Sequence, residues 1–391
     1  MHRYKLRQSL ALAAYSLGCF LATHGMAEET VGRGRKSVSS HAGSSSLKEV
    51  YKGGFLIGVA MNASEVADEN SPKFSIIKQQ FNSVTAENAM KWGSINPQPG
   101  IFNFEAADRF VKFGNANQMF VVGHTLVWHS QVPKWVFEDE KGKPLTRDAL
   151  LVRMRNYIHK VVGRYKGHVQ GWDVVNEALA EDGSLRDSPW RKIIGDDYIA
   201  KAFQFAHEAD PGAELYYNDY SIENPAKRAG AIKLLQSLKS ARLRVDGVGI
   251  QEHVNLVWPT LKDLDESISA YKKLGLKVMI TELDVNILPG AGNTGNAEVS
   301  RNEAADPALD PYREGLPPDA QMKLAGRYSD LFGIYLKHRG TVTRVTFWGL
   351  SDGTSWLNHW PIRGRTNHPL LFDRAFRPKP AFEAVIQAVS Q

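Results

Sequence analysis

FVVGHTLVW (120–128), VQGWDVVNE (169–177) and KVMITELDV (277–285) share one pattern: a short apolar run rich in β-branched residues that ends on polar side chains. Five more stretches follow it: FLIGVA (55–60), FNSVTAEN (81–88), ELYYNDY (214–220), GVGIQEH (247–253) and RVTFWGL (344–350). Their length and composition suit strands buried on both faces, as in a parallel sheet. The stretches between them read as helices. In Arg147 to Tyr165, for example, Leu150, Leu151, Met154, Tyr157, Ile158, Val161 and Val162 recur at helical spacing. Strand alternating with helix predicts an α/β fold, and eight such units predict a single (β/α)8 TIM barrel over residues 47–391. Neither an internal repeat nor a second domain is visible.

The chain has 391 residues, 43% of them hydrophobic and 23% charged, which is enough for a large core and excludes a disordered or polytopic membrane chain. The net charge is +6, but residues 1–46 hold six Lys/Arg against two Glu, which leaves little excess for the rest. No nucleic-acid partner is expected from so balanced a body. The one cysteine, Cys19, permits neither an intrachain disulfide nor a cysteine-based zinc site.

Arg3, Lys5 and Arg7 precede an uncharged, mostly apolar run from Leu10 to Ala22. That run is shorter than the ~20 residues needed to span a bilayer. Small residues at Gly25 and Ala27 offer a cleavage site, so residues 1–27 read as a secretory signal peptide. The expected destination is periplasmic or extracellular, with no membrane anchor. Residues 28–46, rich in Gly and Ser, read as a flexible linker.

Polar residues crowd the C-terminal ends of the runs: Glu87, His124, Asn176, Glu177, Asp219, Gln251, His253, Glu282 and Trp348. In a TIM barrel those ends form the active-site face. Imidazoles and indoles are poor choices for a merely solvated edge, so the rim reads as a polar, aromatic cleft. Glu177 and Glu282 each follow an apolar run, where an ionisable group is costly without partners. Two carboxyls across one cleft suffice to cleave a glycosidic bond: one protonates the leaving oxygen, the other attacks the sugar or activates water. A structural pair of salt-bridged glutamates is the plainer alternative.

TAENAMKW (85–92), GHTLVWHSQ (123–131), WDVVNEAL (172–179), YNDYSIE (217–223), GIQEH (249–253), ITELDV (280–285) and TFWGLSDGTSW (346–356) resemble the motifs of family 10 glycoside hydrolases, the endo-β-1,4-xylanases. The resemblance runs from about residue 50 to 385, with the motifs in order. It implies a retaining hydrolase acting on xylan and xylo-oligosaccharides. In those motifs Glu177 matches the acid/base and Glu282 the nucleophile. Asn176 matches the amide that grips the sugar 2-hydroxyl, and His253 a partner of the nucleophile. Glu87, Asn88, Lys91, His124 and Trp128 match the wall that binds the non-reducing-side sugars. Trp348 and Trp356 match the aromatic roof. Gln251 precedes His253 by two residues, on the same strand face. No cofactor and no metal is implied, and a monomer is expected. Two alternatives remain: a retaining hydrolase of another β-1,4-glycan, and a sugar-binding barrel without activity.

Glu252 departs from the motif, in which a small residue is common, and alternation predicts that it points away from the cleft. The long stretch 286–320 reads as a rim loop. Its Gly290 to Gly295 segment matches G-x-G-x-x-G but opens no helix, so no nucleotide site is expected. Trp135 and Trp190, outside the motifs, are expected in the core.

Overall fold

The computed structural model describes residues 46–62, 71–290 and 299–390. The expected signal segment, the linker up to residue 45, Cys19 and most of the glycine motif after Gly290 lie outside them. Among the described residues nine strands are present: β1 (Leu56–Met61), β2 (Ser83–Ala86), β3 (Phe120–Val127), β4 (Gly171–Asn176), β5 (Glu214–Asp219), β6 (Gly247–Ile250), β7 (His253–Asn255), β8 (Lys277–Asn286) and β9 (Val342–Phe347). β1 to β6 pair in order, β9 joins β1, β8 joins β9, and a β6–β8 pairing closes the ring. Every pairing is parallel, so this is the expected eight-stranded barrel. β7 pairs only with the end of β8. It resumes the line of β6 after a break at Gln251 and Glu252, so the run read as one strand is two.

A long helix follows each barrel strand: Pro72–Gln80, Glu105–Ala116, Arg147–Arg164, Tyr198–Ala209, Pro225–Ser240, Leu261–Lys273, Pro318–Lys337 and Pro380–Ala388. Four of them start on proline, whose missing N–H costs nothing in the first turn. Thr146 and Thr260 cap two others, accepting from the N–H groups of Ala149 and Asp263. Val59, Val121, Val174, Leu215, Val248, Ile280 and Val345 face the helices and are buried with them in one apolar layer. No helix among the described residues is long and apolar enough to cross a membrane.

The opposite strand face fills the barrel. Tyr216 is buried there, and only glycine fits beside it: a Cβ on Gly171 meets the Tyr216 ring at 2.5 Å. Overpacking of that kind costs about 1–3 kcal/mol. Near the rim the register slips in three strands: between His124 and Val127, between Asp173 and Val175, and between Ile280 and Leu283. Bulges re-aim side chains, and these adjoin His124, Glu177 and Glu282. Trp190 is core, as expected. Trp135 is only half-buried; it lines a groove on the outside of the barrel with Arg153 against its ring, because the turn carrying it lies on the surface.

Candidate active site

Glu177 and Glu282, with Glu87, Asn88, Lys91, His124, Trp128, Asn176, Gln251, His253, Trp348 and Trp356, line one cleft of about 200 Å³. A roomier groove of about 660 Å³, the one Trp135 lines, lies outside the barrel and holds a single carboxylate, Asp148. Chemistry therefore follows the smaller cleft.

Glu177 stands just past β4 with a left-handed backbone, φ 56°. That conformation is costly for a residue with a Cβ and is typical of functional sites. Its N–H donates to the carbonyl of Asn218 (2.9 Å), and Arg186 Nε donates to its carbonyl (2.9 Å). The carboxyl is buried. Trp128 Nε1 donates to Oε2 at 2.7 Å, and Gln251 Nε2 and Asn176 Nδ2 donate to Oε1 at 3.0 and 3.2 Å. Burial, with Asp219 adding to it, pushes its pKa above the usual carboxylate value, against the pull of His129, Gln251 and Trp128.

Glu282 is equally buried, but its partners reverse the outcome. Burial acts to raise its pKa; the hydrogen bond from His253, the field of His124 and the amide of Asn218 outweigh it, and the net shift is downward. His253 Nε2 lies 3.1 Å from Glu282 Oε2, and Asn218 Nδ2 donates to Oε1 at 2.8 Å. The other His253 nitrogen, Nδ1, lies 3.1 Å from Asp284 Oδ1. Burial opposes a charge on this imidazole, yet the two flanking carboxylates raise its pKa to about 10. A protonated His253 thus donates to both, and Glu282 stays ionised.

The wall opposite is built on a lysine. Lys91 Nζ donates to Asn88 Oδ1 (3.0 Å) and Gln131 Oε1 (2.7 Å) and lies 4.9 Å from the centre of the Trp128 ring. Burial lowers its pKa, while Glu282, Glu87 and Glu177 pull it back up. Glu87 is raised by burial, with Lys91 opposing. His124 is tied to Asp173 at 3.0 Å and meets Trp348 edge to face at 5.3 Å. Trp356 donates from Nε1 to Asp284 Oδ2 at 2.7 Å and stacks on Trp360 at 4.6 Å. The roof is therefore braced on the same aspartate that orients His253.

One expectation at the rim needs correction. Asp219 does not face the cleft. It is fully buried on the outer side of β5, where Lys227 Nζ pairs with it at 3.1 Å and the Tyr217 hydroxyl donates to it. Strand alternation puts its neighbour Asn218 inside instead, linking Asn176 (2.9 Å) to Glu282. A Cβ on Gly249 lies 2.2 Å from Asn218 Oδ1, so β6 needs glycine where that amide sits. Glu252 points away from the cleft, as alternation predicts. Asn218, Asp284, Gln131 and Val299 were not singled out from the sequence. The first three sit in or beside motifs that were; Val299, on the rim loop, lines the cleft with no sequence signal.

A barrel rim that holds two buried carboxyls with pKa values pushed in opposite directions, with amides between them and indoles above, has the equipment of a glycoside hydrolase. Comparison with known proteins narrows the class. The model of glycosyl hydrolase family 10 matches residues 46–388, and the chain belongs to that family. Endo-1,4-beta-xylanase A of Xylanibacter ruminicola is 47% identical over 341 residues, spanning 87% of this chain and 92% of that protein. Beta-1,4-xylanase of Dictyoglomus thermophilum is 43% identical over 344 residues, spanning 88% and 90%. The structure of a GH10 endoxylanase retrieved from a sugarcane soil metagenome matches with a TM-score of 0.85 at 47% identity, covering 87% of this chain and 99% of its own.

Proposed function

We propose that the protein is an endo-1,4-β-xylanase that hydrolyses internal bonds of xylan with retention, Glu177 acting as acid/base and Glu282 as nucleophile. The observation that carries this reading is the split of the two carboxyls: Glu177 is biased to hold a proton and Glu282 to lose one. In the first step Glu177 gives its proton to the glycosidic oxygen as that bond breaks, and a Glu282 oxygen bonds to the anomeric carbon from the opposite face. The product is an α-linked glycosyl ester. In the second step Glu177, now a carboxylate, takes a proton from water. The oxygen of that water displaces Glu282 and leaves a β-configured sugar. Asn176 is placed to bond the sugar 2-hydroxyl, a contact worth most where it strengthens in the transition state.

Proton NMR of the earliest products from xylan should show the β-anomer first, and EDTA should leave the rate unchanged. An α-anomer appearing first would remove Glu282 as nucleophile. Sizing those products should show a ladder of oligosaccharides from internal cuts, not a single short product released from chain ends.

Xylan should be strongly preferred over cellulose. Glucose carries a hydroxymethyl group on C5 that xylose lacks, and rejecting it takes a clash, since a larger sugar loses no contacts. The clash is effective only if the roof cannot yield. Trp356 is held by Asp284 and Trp360, and Trp348 is wedged against His124 and His253. Overpacking at about 1–3 kcal/mol corresponds to roughly 5- to 150-fold at each affected position, so kcat/KM for aryl β-xylobioside should exceed that for aryl β-cellobioside by at least about tenfold. Trimming Trp348 or Trp356 to Ala should narrow the ratio even as absolute activity falls. A wild-type ratio near one would contradict the steric account and favour a hydrolase of other β-1,4-glycans.

The basic start and apolar run of residues 1–27 support export to the periplasm or the medium. N-terminal sequencing of the protein recovered outside the cytoplasm should begin at Glu28. The same reading has the enzyme working as a monomer, which its mass in solution will test.

A further inference from the structure

Glu252 stands between two residues of the cleft and takes no part in it. Gln251 before it holds Asn176 and Glu177, and His253 after it holds Glu282. Its backbone is left-handed, φ 62°, and its carbonyl accepts from the N–H of Asp284 at 3.4 Å. This turn ends β6 and lets β7 start against β8. It thereby aims both neighbours into the cleft.

The Glu252 side chain goes the other way, into the dry layer between barrel and helices, and is fully buried. Oε2 accepts from the Tyr335 hydroxyl at 3.2 Å; Oε1 has no partner among the described residues. Glu223, just before helix Pro225–Ser240, is also fully buried, and among the described residues no other residue donates to its carboxyl, on which only its own backbone N–H acts. The two carboxyls act on each other. Helix Pro318–Lys337 faces them with Arg327 and Tyr335, helix Leu261–Lys273 with Tyr271, helix Pro225–Ser240 with Lys227, and the strands with Asp219 and His253. Asp330 acts on Arg327 from its exposed side.

The nearby cations are engaged elsewhere. Arg327 donates to the carbonyls of Asn255 (3.0 Å) and Pro259 (2.7 Å), Lys227 pairs with Asp219 and Glu181, and His253 lies between Glu282 and Asp284. Two ionised carboxylates in a dry site with most of their oxygens unbonded are far more costly than one.

We propose that Glu252 is a positioning residue of the xylanase site: with Glu223 it forms a proton-retaining carboxyl pair beneath the Gln251–His253 turn, and loss of that proton loosens the turn and the hold on both catalytic carboxyls. The inference rests on the assignment of the cleft under the proposed function. Burial above all raises Glu223 to about 7 and Glu252 well above the usual value, which agrees with the geometry. The sign for stability follows. The native pair keeps a proton that the unfolded chain releases near 4.5, so the pair's contribution declines as pH rises from there through about 7.

The test compares wild type, Glu252→Gln and Glu252→Gly, each as the full chain. Melting temperature and kcat/KM are followed from about pH 5 to about pH 9 on an aryl β-xylobioside whose leaving group departs unprotonated, so that Glu177 contributes little to the alkaline fall. Glutamine keeps the shape without the titration. The melting temperature of Glu252→Gln should decline less with pH than that of wild type. Its kcat/KM relative to wild type should rise at least about fivefold between about pH 6 and about pH 9. Glycine accepts the left-handed turn but supplies no side chain. It should share the flattened profile, with a lower kcat at acidic pH that glutamine restores. Curves parallel to wild type in both variants overturn the proposal. Should Glu252→Gln not fold, Glu223→Gln removes the same repulsion from the other side and is read in the same way. If no protein cleaves the xyloside, the xylanase reading fails; the melting curves need no substrate, and parallel slopes there overturn the pair on their own.

Discussion

Glu282→Ala should abolish xylan hydrolysis, lowering kcat by roughly 10⁵-fold or more, the scale expected when the nucleophile of a covalent mechanism is removed. An activated aryl xyloside should not rescue it, because a good leaving group does not replace the nucleophile that the proposed mechanism requires. Small anions can occupy the vacated space. Azide added to the variant should therefore give an α-xylosyl azide by a single displacement. The fold should survive, since the truncation relieves a buried carboxylate, although it leaves His253 and Asn218 without their partner. A retained melting transition together with lost turnover is the expected pair of results. A variant that still cleaves xylan, or that yields a β-azide, would place the nucleophile elsewhere.

Glu177→Ala should separate substrates instead. On xylan, whose leaving group needs a proton, kcat/KM should fall by about 10²- to 10⁴-fold, the usual worth of general acid catalysis. On an aryl β-xyloside with a good leaving group the first step should survive, and the glycosyl-enzyme should accumulate because nothing deprotonates the attacking water. A burst of the aryl product followed by slow turnover is the expected trace. Azide should then speed the second step and give a β-azide, the opposite anomer from that of Glu282→Ala. The same assignment sets part of the pH profile of the wild type. A carboxyl with a raised pKa supplies its proton near neutrality and loses it as pH climbs, so xylan hydrolysis should fall on the alkaline side more steeply than hydrolysis of the activated substrate. Equal losses on both substrates, or the same azide anomer from both variants, would overturn this assignment of roles; exchanged anomers would mean that the roles are reversed.

The two glutamates were conspicuous in the sequence for a physical reason. Barrel strands are apolar on both faces, so a carboxylate at the end of WDVVNE or VMITE stands out against its own run. Asn218 was hidden by the same logic. It adjoins Asp219, alternation lets only one of the two face the cleft, and the charged residue drew the assignment. The structure shows why the choice fell the other way: Lys227 waits on the outer side to neutralise Asp219, and an amide inside can bridge Asn176 and Glu282. Asp284 was missed because it looks like one more polar residue beyond Glu282. Its role as the brace shared by His253 and Trp356 exists only when residues 253, 284 and 356 meet. Gln131 and Val299 come from loops, where no periodicity constrains which way a side chain points.

Chain-local patterns determined the barrel, its strand count and the rim on which the chemistry lies, because hydrophobic periodicity is written residue by residue and eight strand–helix units close in few ways. They also determined which two carboxyls face each other. Tertiary structure alone decided the direction in which each pKa is pushed. Burial acts on Glu177 and Glu282 alike, and what separates them is which groups arrive from elsewhere: a protonated, hydrogen-bonded imidazole and an amide at Glu282, against neutral donors, the field of His129 and an opposing Asp219 at Glu177. Those partners lie up to 74 positions from the carboxyls they serve. The electrostatic balance depends on distances of a few ångströms across the barrel, which no spacing along the chain encodes.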